Sequence, residues 1–164
     1  MIILGIDPGL AKVGYGAVKK SKKRIKCLGY GCIKTSPDNA LQYRLNQIFN
    51  ELNGLIKKYN PDVLVVEKLF FFKNAKTLIP VSEARGVLLL AAAKKKIPIY
   101  EFTPLQVKAA ITGYGRAEKK QVQKMVKMLL DLEKIPQPDD AADALGLAIC
   151  YTYLPKPPKI TKNI

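Results

Sequence analysis

Short apolar segments and longer segments of helical periodicity alternate along this chain. Residues 2–6 and 63–66 are continuous apolar runs with many β-branched side chains, a pattern typical of strands covered on both faces of a sheet. Residues 97–102 form a third short run, and the Thr103-Pro104 pair after it is typical of the start of a helix. The pattern therefore predicts an α/β fold with buried strands.

Four further segments have helical patterns. Leucine and isoleucine recur at helical spacing through residues 41–59, which predict a helix with a core face and no chemistry. Residues 74–96 are apolar around most of a helix circumference, which is typical of a helix that is buried or packs on a second subunit. Residues 117–132 predict an amphipathic helix with lysines on its polar side, and a last helix begins at Asp139.

Residues 13–20 and 24–34 are predicted to form a hairpin next to the first strand, and the turn between them is strongly basic. A solvated hairpin tip explains these charges, and contact with a phosphate backbone is the alternative. The whole chain has 28 Lys and Arg against 13 Asp and Glu, a net charge of +15. This excess favours a polyanionic partner such as nucleic acid, although genome bias and heat adaptation also enrich lysine.

The length of 164 residues corresponds to one domain that is large enough for a proper core. The longest apolar run is too short to cross a bilayer, and the N-terminus lacks the basic region of a signal peptide. We therefore expect a cytoplasmic protein with no membrane partner. Residues 155–164 are rich in proline and lysine, and we expect a flexible basic tail there.

The absence of histidine restricts the chemistry of any active site. A Ser-His triad, a His-based zinc site and a His general base are all excluded. The cysteines have no metal-ligand spacing, and Cys27 and Cys32 should lie on opposite faces of one strand because their positions differ by an odd number. A catalytic metal site must therefore consist of carboxylates, which prefer hard ions such as Mg²⁺ or Mn²⁺.

Acidic side chains follow two buried strands and begin the last helix. Asp7 ends the first apolar run, before a Pro-Gly turn, and Glu67 ends the second. If these strands are parallel neighbours, both carboxylates emerge at one edge of the sheet. Asp140 and Asp143 share a helix face, and the alanines between them let that face approach the sheet. For each acid alone, a turn cap or a macrodipole role is the structural alternative.

These four carboxylates come from three distant segments, and they would repel one another unless cations were bound. Two divalent ions close together are the arrangement used for in-line phosphoryl displacement. Combined with the basic surface, the acids predict metal-dependent hydrolysis of a nucleic-acid phosphodiester. We interpret Gly9 and the glycines after it as leaving room beside Asp7 for a DNA backbone.

Five sequence blocks in a fixed order resemble the RuvC family of bacterial crossover-junction endodeoxyribonucleases, over essentially the whole chain. The blocks are GIDPGLAKVGYG, VVEKLFFFKNAKT, EARGVLLLAA, QVKAAITGYGRAEKKQVQKMV and DDAADALGLAI. The resemblance implies an α/β, ribonuclease H-like fold, a five-stranded mixed sheet flanked by helices, with residues 1–154 as the nuclease domain. It also implies a homodimer that nicks a four-way (Holliday) DNA junction symmetrically, in recombination and repair.

The same resemblance implies cofactors and residue roles. Mg²⁺ is the implied cofactor, with Mn²⁺ as an alternative and two ions per active site, and a branch-migration motor complex is a further implied partner. Phe70 is expected to stack on a base near the crossover, and Lys108 and Lys119 to contact DNA. Some relatives have histidine at the position of Asp140, whereas this chain keeps an all-carboxylate site. Catalytic and metal-binding roles are implied for Asp7, Glu67, Asp140 and Asp143.

Two other classes of protein share part of this pattern. An actin-like ATPase shares the D-x-G turn, but it needs two such domains and a second phosphate loop, for which this chain is too short. A non-catalytic junction-binding protein, or a nuclease-fold relative acting on RNA, is the other alternative. The presence of all four acids argues against an inactive enzyme.

Overall fold

The computed structural model of the chain describes residues 1–22, 24–68 and 75–153, and for residues 75–77 it describes the backbone alone. Within these ranges, strands and helices alternate as the apolar pattern predicts. The elements in chain order are β1 (Ile2–Asp7), β2 (Lys12–Lys20), β3 (Ile25–Lys34), α1 (Leu41–Tyr59), β4 (Val63–Glu67), α2 (Ala75–Lys94), β5 (Ile99–Phe102), α3 (Pro104–Thr112), α4 (Lys119–Leu129) and α5 (Asp139–Tyr153).

The strands form one mixed sheet in the order β3-β2-β1-β4-β5. β1 runs antiparallel to β2 and parallel to β4, and β4 runs parallel to β5. Ile3, Leu4 and Ile6 of β1 are fully buried because helices cover both faces of this central strand. The five-stranded mixed sheet that the family resemblance implies is confirmed.

Two hydrophobic clusters lie on opposite faces of the sheet. On the face of the sheet that α5 covers, which we call the α5 face, strand residues such as Val65 and Phe102 pack against apolar side chains of α3, α4 and α5. The α1/α2 face joins Leu64 and Val66 to apolar side chains of α1 and α2. Because side chains alternate along a strand, the position of a residue decides which cluster it enters.

Glycines on β1 and β2 allow α5 to lie directly against the backbone of the sheet. A Cβ atom at Gly5 would collide with the carbonyl oxygen of Ala144, and one at Gly14 would collide with that of Asp140. A Cβ at Gly16 would press on α5 as well. The space beside these glycines is therefore filled by α5. Our interpretation that they leave room for a DNA backbone is wrong at Gly14 and Gly16.

A β-bulge changes the predicted arrangement of β3. The register between β2 and β3 shifts between Ala17 and Val18, which leaves Leu28 as an extra residue in the ladder. The extra residue reverses the alternation of side chains along β3. Cys27 and Cys32 therefore lie on the same α5 face, and the prediction that they occupy opposite faces is wrong.

The predicted helices are present, with small differences at their ends. Thr103 caps α3 as predicted, because its Oγ1 accepts from the backbone N–H of Gln106 at 3.1 Å. α4 begins two residues later than predicted, after Glu118, whose backbone N–H donates to the side chain of Gln121 at 3.0 Å. None of the helices in the described part of the chain is long and apolar enough to cross a membrane.

Candidate active site

The first two acids lie side by side where two strands end. Ile6 of β1 pairs with Val66 of β4, and Asp7 and Glu67 follow these paired residues at adjacent positions. Alternation along the strand directs Glu67 to the α5 face, to which Val65 also belongs. The sequence predicts that these two acids meet at one edge of the sheet if their strands are parallel neighbours. The parallel pairing of β1 with β4 confirms this condition.

α5 brings two further acids to the same edge. Asp140 and Asp143 lie in its first two turns and are partly buried. The backbone oxygen of Asp140 lies against Gly14, which is the β2 residue that pairs with Asp7. The alanines between and beside the acids are buried, so this helix surface approaches the sheet as the sequence predicts. We call the resulting group the acidic edge: Asp7, Glu67, Asp140 and Asp143.

The pKa of Asp7 shows how close the other carboxylates are. Burial, followed by the negative charges of Glu67, Asp143 and Asp140, raises the pKa of Asp7 from 3.8 to about 8. The ammonium group of Lys119 opposes part of this rise. Each of the other three carboxylates therefore disfavours the ionised form of Asp7.

Lys119 supplies positive charge at the acidic edge. Its Nζ lies 3.2 Å from Oδ2 of Asp143 and 3.3 Å from Oδ2 of Asp139. Burial alone would lower the pKa of Lys119, but the charge of Asp143 and hydrogen bonds to both aspartates outweigh burial and raise it. Burial raises the pKa of Asp143, and Lys119 opposes that rise. Lys119 therefore remains charged and favours the ionised form of Asp143.

Asp139 connects Lys119 to a buried amide. Gln123 of α4 is only 7% exposed, and its Nε2 donates a hydrogen bond of 3.0 Å to Oδ1 of Asp139. The hydrogen bonds from Gln123 and Lys119 lower the pKa of Asp139. Asp139 therefore links the beginning of α4 to the beginning of α5, and this link keeps Lys119 beside Asp143.

The donor set of the acidic edge fits a hard divalent cation. Its side chains offer carboxylate oxygens only, and the repulsion that raises the pKa of Asp7 is relieved by bound positive charge. Within the described residues, no three Asp, Glu or Cys side chains are arranged closely enough to hold a metal ion as they stand.

Two grooves adjoin the acidic edge. A pocket of about 190 Å³ is lined by Glu67 and Asp143, by Lys108 and Lys119, and by apolar residues of α3, α4 and α5. A groove of about 460 Å³ extends from Asp140 along the turn between β1 and β2. Basic and acidic side chains thus share the walls of the first pocket, an arrangement that suits a phosphodiester between lysines and metal-binding carboxylates.

Comparison with known proteins identifies the family. Residues 3–151 match the family model described as crossover junction endodeoxyribonuclease RuvC. The chain belongs to the RuvC family. It is 55% identical over 151 residues to the RuvC of Desulforamulus reducens, covering 92% of this chain and 93% of the relative. It is 56% identical over 153 residues to the RuvC of Alkaliphilus metalliredigens, covering 93% of each.

A solved RuvC structure has the same fold. Thermus thermophilus RuvC in complex with a Holliday junction substrate superposes on this RuvC-family chain with a TM-score of 0.88. The two sequences are 33% identical, and the match covers 93% of each chain. The ribonuclease H-like fold predicted from the resemblance is confirmed. RuvC-family membership also implies dependence on a divalent metal ion.

The predicted site residues of this RuvC-family chain lie together where the structure describes them. Lys108 and Lys119 line the pocket that also contains Glu67 and Asp143. Asp7 and Asp140 belong to the same group, because the charges of the other acids act on Asp7. Phe70 lies outside the described residues, as does the predicted tail at residues 155–164.

Sequence reasoning assigned no role to two residues beside the acidic edge. Gln123 is a polar residue among the buried positions of α4, and a polar residue on the buried face of a helix is itself a signal of a specific hydrogen bond. Arg44 of α1 lines the groove that contains Asp140, and its Nε donates to Oγ1 of Thr35 at 2.9 Å. The prediction that α1 has a core face and no chemistry rests on its apolar positions alone. Arg44 lies in the first turn of α1 and is polar.

Proposed function

We propose that this protein is a metal-dependent endonuclease that resolves four-way (Holliday) DNA junctions by paired symmetric nicks, in homologous recombination and DNA repair. The observation that carries the proposal is the acidic edge, in which carboxylates from β1, β4 and α5 converge in a RuvC-family chain. The net charge of +15 supports a nucleic-acid substrate. The Thermus thermophilus relative is described in complex with a Holliday junction substrate.

The residues of the acidic edge would hold the metal. Asp7, Glu67, Asp140 and Asp143 are the proposed ligands, and their all-oxygen chemistry suits Mg²⁺, or Mn²⁺ as the alternative, with two ions per site. Such ions supply an acidified attacking water and charge neutralisation at the leaving 3′ oxygen. The protein contributes a rigid base, because β1 pairs with β4 and the backbone of α5 lies directly against β1 and β2.

Two lysines beside the acidic edge, together with Phe70, bind the DNA in this proposal. Lys108 and Lys119 line the pocket next to Glu67 and Asp143, where their ammonium groups contact phosphates on either side of the bond to be cut. When the substrate binds, the ammonium group of Lys119 would exchange its contact with Asp143 for a phosphate, which would leave Asp143 available to hold the ion. Phe70 stacks on a base near the crossover, a role that rests on the family resemblance.

The remaining proposals concern domain organisation and cellular context. Residues 1–154 form the nuclease domain, and residues 155–164, with three lysines, form a basic tail that adds to DNA affinity. The proposed location is the cytoplasm, which agrees with a DNA substrate. A branch-migration motor complex is a further partner, which the family resemblance suggests.

A homodimer is the proposed assembly, because two symmetric nicks need two active sites. α2 offers a surface for it, since Ile79 and Leu90 are 68% and 55% exposed despite their apolar side chains. Gly86 and Ala93 are exposed on the same helix, and a side chain added at Gly86 would meet no atom within 4 Å. The spacing of these positions places them along one helix stripe, which a second copy of α2 can cover.

The experiment that tests this proposal measures cleavage of several substrates by the purified protein. We expect nicks at opposed strands of a mobile four-way junction with Mg²⁺, no nicks in EDTA, and little cleavage of linear duplex. Asp7→Asn should bind the junction in EDTA with wild-type affinity but should not cut it. Glu133→Gln is the matched control, because Glu133 is an exposed acid in the segment between α4 and α5, and it should cut normally.

Other outcomes of the same assays would reject the proposal. Equal cleavage of duplex DNA or of structured RNA contradicts junction selectivity. Binding of the junction without any metal-dependent nick points to a non-catalytic binding protein. Magnesium-dependent ATP hydrolysis without DNA cleavage would favour an actin-like ATPase. Loss of junction binding in Asp7→Asn would assign Asp7 a structural role.

A further inference from the structure

A basic cleft lies at the end of the sheet opposite the acidic edge. It has a volume of about 620 Å³ and is formed by the β2–β3 hairpin, the end of α4 and the end of α5. Asp7 pairs with Gly14 at one end of β2, whereas the hairpin turn follows Lys20 at the other end. The cleft is thus a separate feature of the molecule. We define its lining as Lys20, Ser21, Lys22, Arg24, Ile25, Leu129, Asp131, Thr152 and Tyr153.

The positive charge of the basic cleft is not consumed by ion pairs. Among the described residues, the ion pairs of the structure involve Arg85 and Lys119, so Lys22 and Arg24 have no acidic partner there. Both side chains are exposed. Asp131 is the acidic residue of the lining, and it leaves the cleft with a positive excess.

Part of the positive charge of the hairpin is unfavourable for the fold itself. Lys19 and Lys26 face each other directly across the antiparallel ladder, where like charges are destabilising. Lys20 donates from Nζ to the backbone oxygen of Thr152, which fastens the hairpin to the end of α5. A fixed hairpin with unneutralised lysines is suited to an external polyanion, because bound phosphates remove the repulsion between them.

α4 connects the basic cleft to the acidic edge. Its first residue, Lys119, contacts Asp143, and its last residue, Leu129, lines the cleft. Lys120 and Lys124 are exposed between these two ends. A polyanion that leaves the acidic edge can therefore follow α4 and meet lysines before it reaches the hairpin.

The length of this path can be expressed in base pairs. Six residues of β2 separate Gly14 from Lys20, which corresponds to about 20 Å at the rise of a β-strand. α5, with 15 residues, spans about 22 Å between the same two ends. The rise of duplex DNA is about 3.4 Å per base pair, so the basic cleft lies about six base pairs from the acidic edge.

We propose that one duplex arm of the junction runs along α4 and that the basic cleft binds its phosphates about six base pairs from the bond that is cut. This inference rests on the proposed function, since it extends the same substrate to a second contact. A duplex arm is favoured over an acidic protein segment because lysines continue from the acidic edge to the cleft.

The experiment combines a protein change with a matching change in the DNA. The variant is Lys22→Gln with Arg24→Gln, which removes two charges without touching the bond from Lys20 to Thr152. Its control is Lys57→Gln with Lys95→Gln, which removes two exposed charges at the ends of α1 and α2. The DNA change is a patch of neutral methylphosphonate linkages at base pairs five to seven of every arm, with a patch beyond base pair fifteen as its control.

We expect the variant to bind the junction on the order of tenfold more weakly in EDTA and to lower the salt dependence of log Kd by about two. The patch at base pairs five to seven should weaken wild-type binding by a similar factor. The variant should bind the patched junction only slightly more weakly than it binds the unpatched junction. The wild-type protein should bind a junction with the distant patch as tightly as the unmodified junction, and the control variant should bind the unmodified junction as tightly as the wild type does. Nicking at saturating junction concentration should be unchanged, and the fold should be as stable as that of the wild type.

Independent, additive effects of the variant and the patch would overturn the proposal, because the cleft would then not contact those phosphates. Wild-type affinity of the variant would overturn it as well, and would favour an acidic protein segment as the occupant. These failures differ from failure of the proposed function. In that case the wild-type protein itself would neither prefer nor nick the junction.

Discussion

Asp7→Asn should stabilise the metal-free protein and flatten the pH dependence of its stability. The folded state holds the pKa of Asp7 at about 8, whereas the ordinary value is 3.8. A folded-state pKa above the unfolded value means that the folded protein binds more protons, so the wild type loses stability as pH rises from about 4 to about 8. Asparagine cannot ionise, and the variant escapes this loss.

The magnitude follows from the shift in pKa. A rise of about four pH units, at about 1.4 kcal/mol per unit, sets a ceiling of roughly 6 kcal/mol at pH 9. Rearrangement of the neighbouring carboxylates and of Lys119 lowers the observed difference, so we expect about 2 to 4 kcal/mol. The difference should approach zero near pH 4, where Asp7 is protonated in both states.

Urea unfolding in EDTA, followed by circular dichroism at pH 5, 7 and 9, measures this difference. The free energy of unfolding of Asp7→Asn should exceed that of the wild type at pH 9. A smaller slope should remain in the variant because the pKa of Asp143 is also raised. Glu133→Gln should follow the wild type at each pH. With millimolar Mg²⁺ the order should reverse, because only the wild type gains binding energy from the ion.

Equal pH dependence of wild type and Asp7→Asn in EDTA would refute this reasoning. It would mean that Asp7 ionises at its ordinary pKa, and hence that the other acids do not crowd it. Stabilisation of both proteins by Mg²⁺ to the same extent would show that the ion binds away from Asp7.

Three further predictions concern single positions. Gly14→Ala should lower the free energy of unfolding by on the order of 2 kcal/mol and abolish nicking, because the added Cβ collides with the backbone of Asp140. Urea unfolding measures the first effect and the junction assay measures the second. Lys119→Gln should shift the pH profile of nicking to higher pH, because Lys119 opposes the rise in the pKa of Asp143. Nicking rates from pH 6 to 9 measure the shift. Leu90→Glu should yield monomers in analytical ultracentrifugation, whereas Lys57→Gln should not.

The elements of the acidic edge could be predicted because they depend on local pattern. The apolar runs before Asp7 and Glu67 predicted buried strands, and the three-residue spacing of Asp140 and Asp143 predicted one helix face. Their convergence could not be derived from the sequence. It depends on the parallel pairing of β1 with β4 and on the contact of α5 with Gly14, which are long-range relations between segments.

The wrong predictions have the same origin. Leu28 interrupts the alternation of β3. The glycine at position 29 is a residue that often marks a bulge, but it does not fix where the register shifts, so the faces of the two cysteines cannot be derived from local sequence. Gly14 and Gly16 were correctly recognised as sites of close approach, but the approaching group is α5 rather than DNA. A glycine indicates that space is needed, and only the folded structure shows what fills it.

The direct contact of α5 with the glycines of β1 and β2 divides the molecule into two parts with different tolerance to change. Main-chain contacts join the elements that carry the acids, because the backbone of α5 lies against Gly5 of β1 and Gly14 of β2, and β1 pairs with β4. The buried apolar positions of α1 and α2 belong to the cluster on the opposite face, so repacking them leaves the contacts of α5 with the sheet in place. An engineer who needs a more stable resolvase should accordingly work on that face and leave the three glycines unchanged.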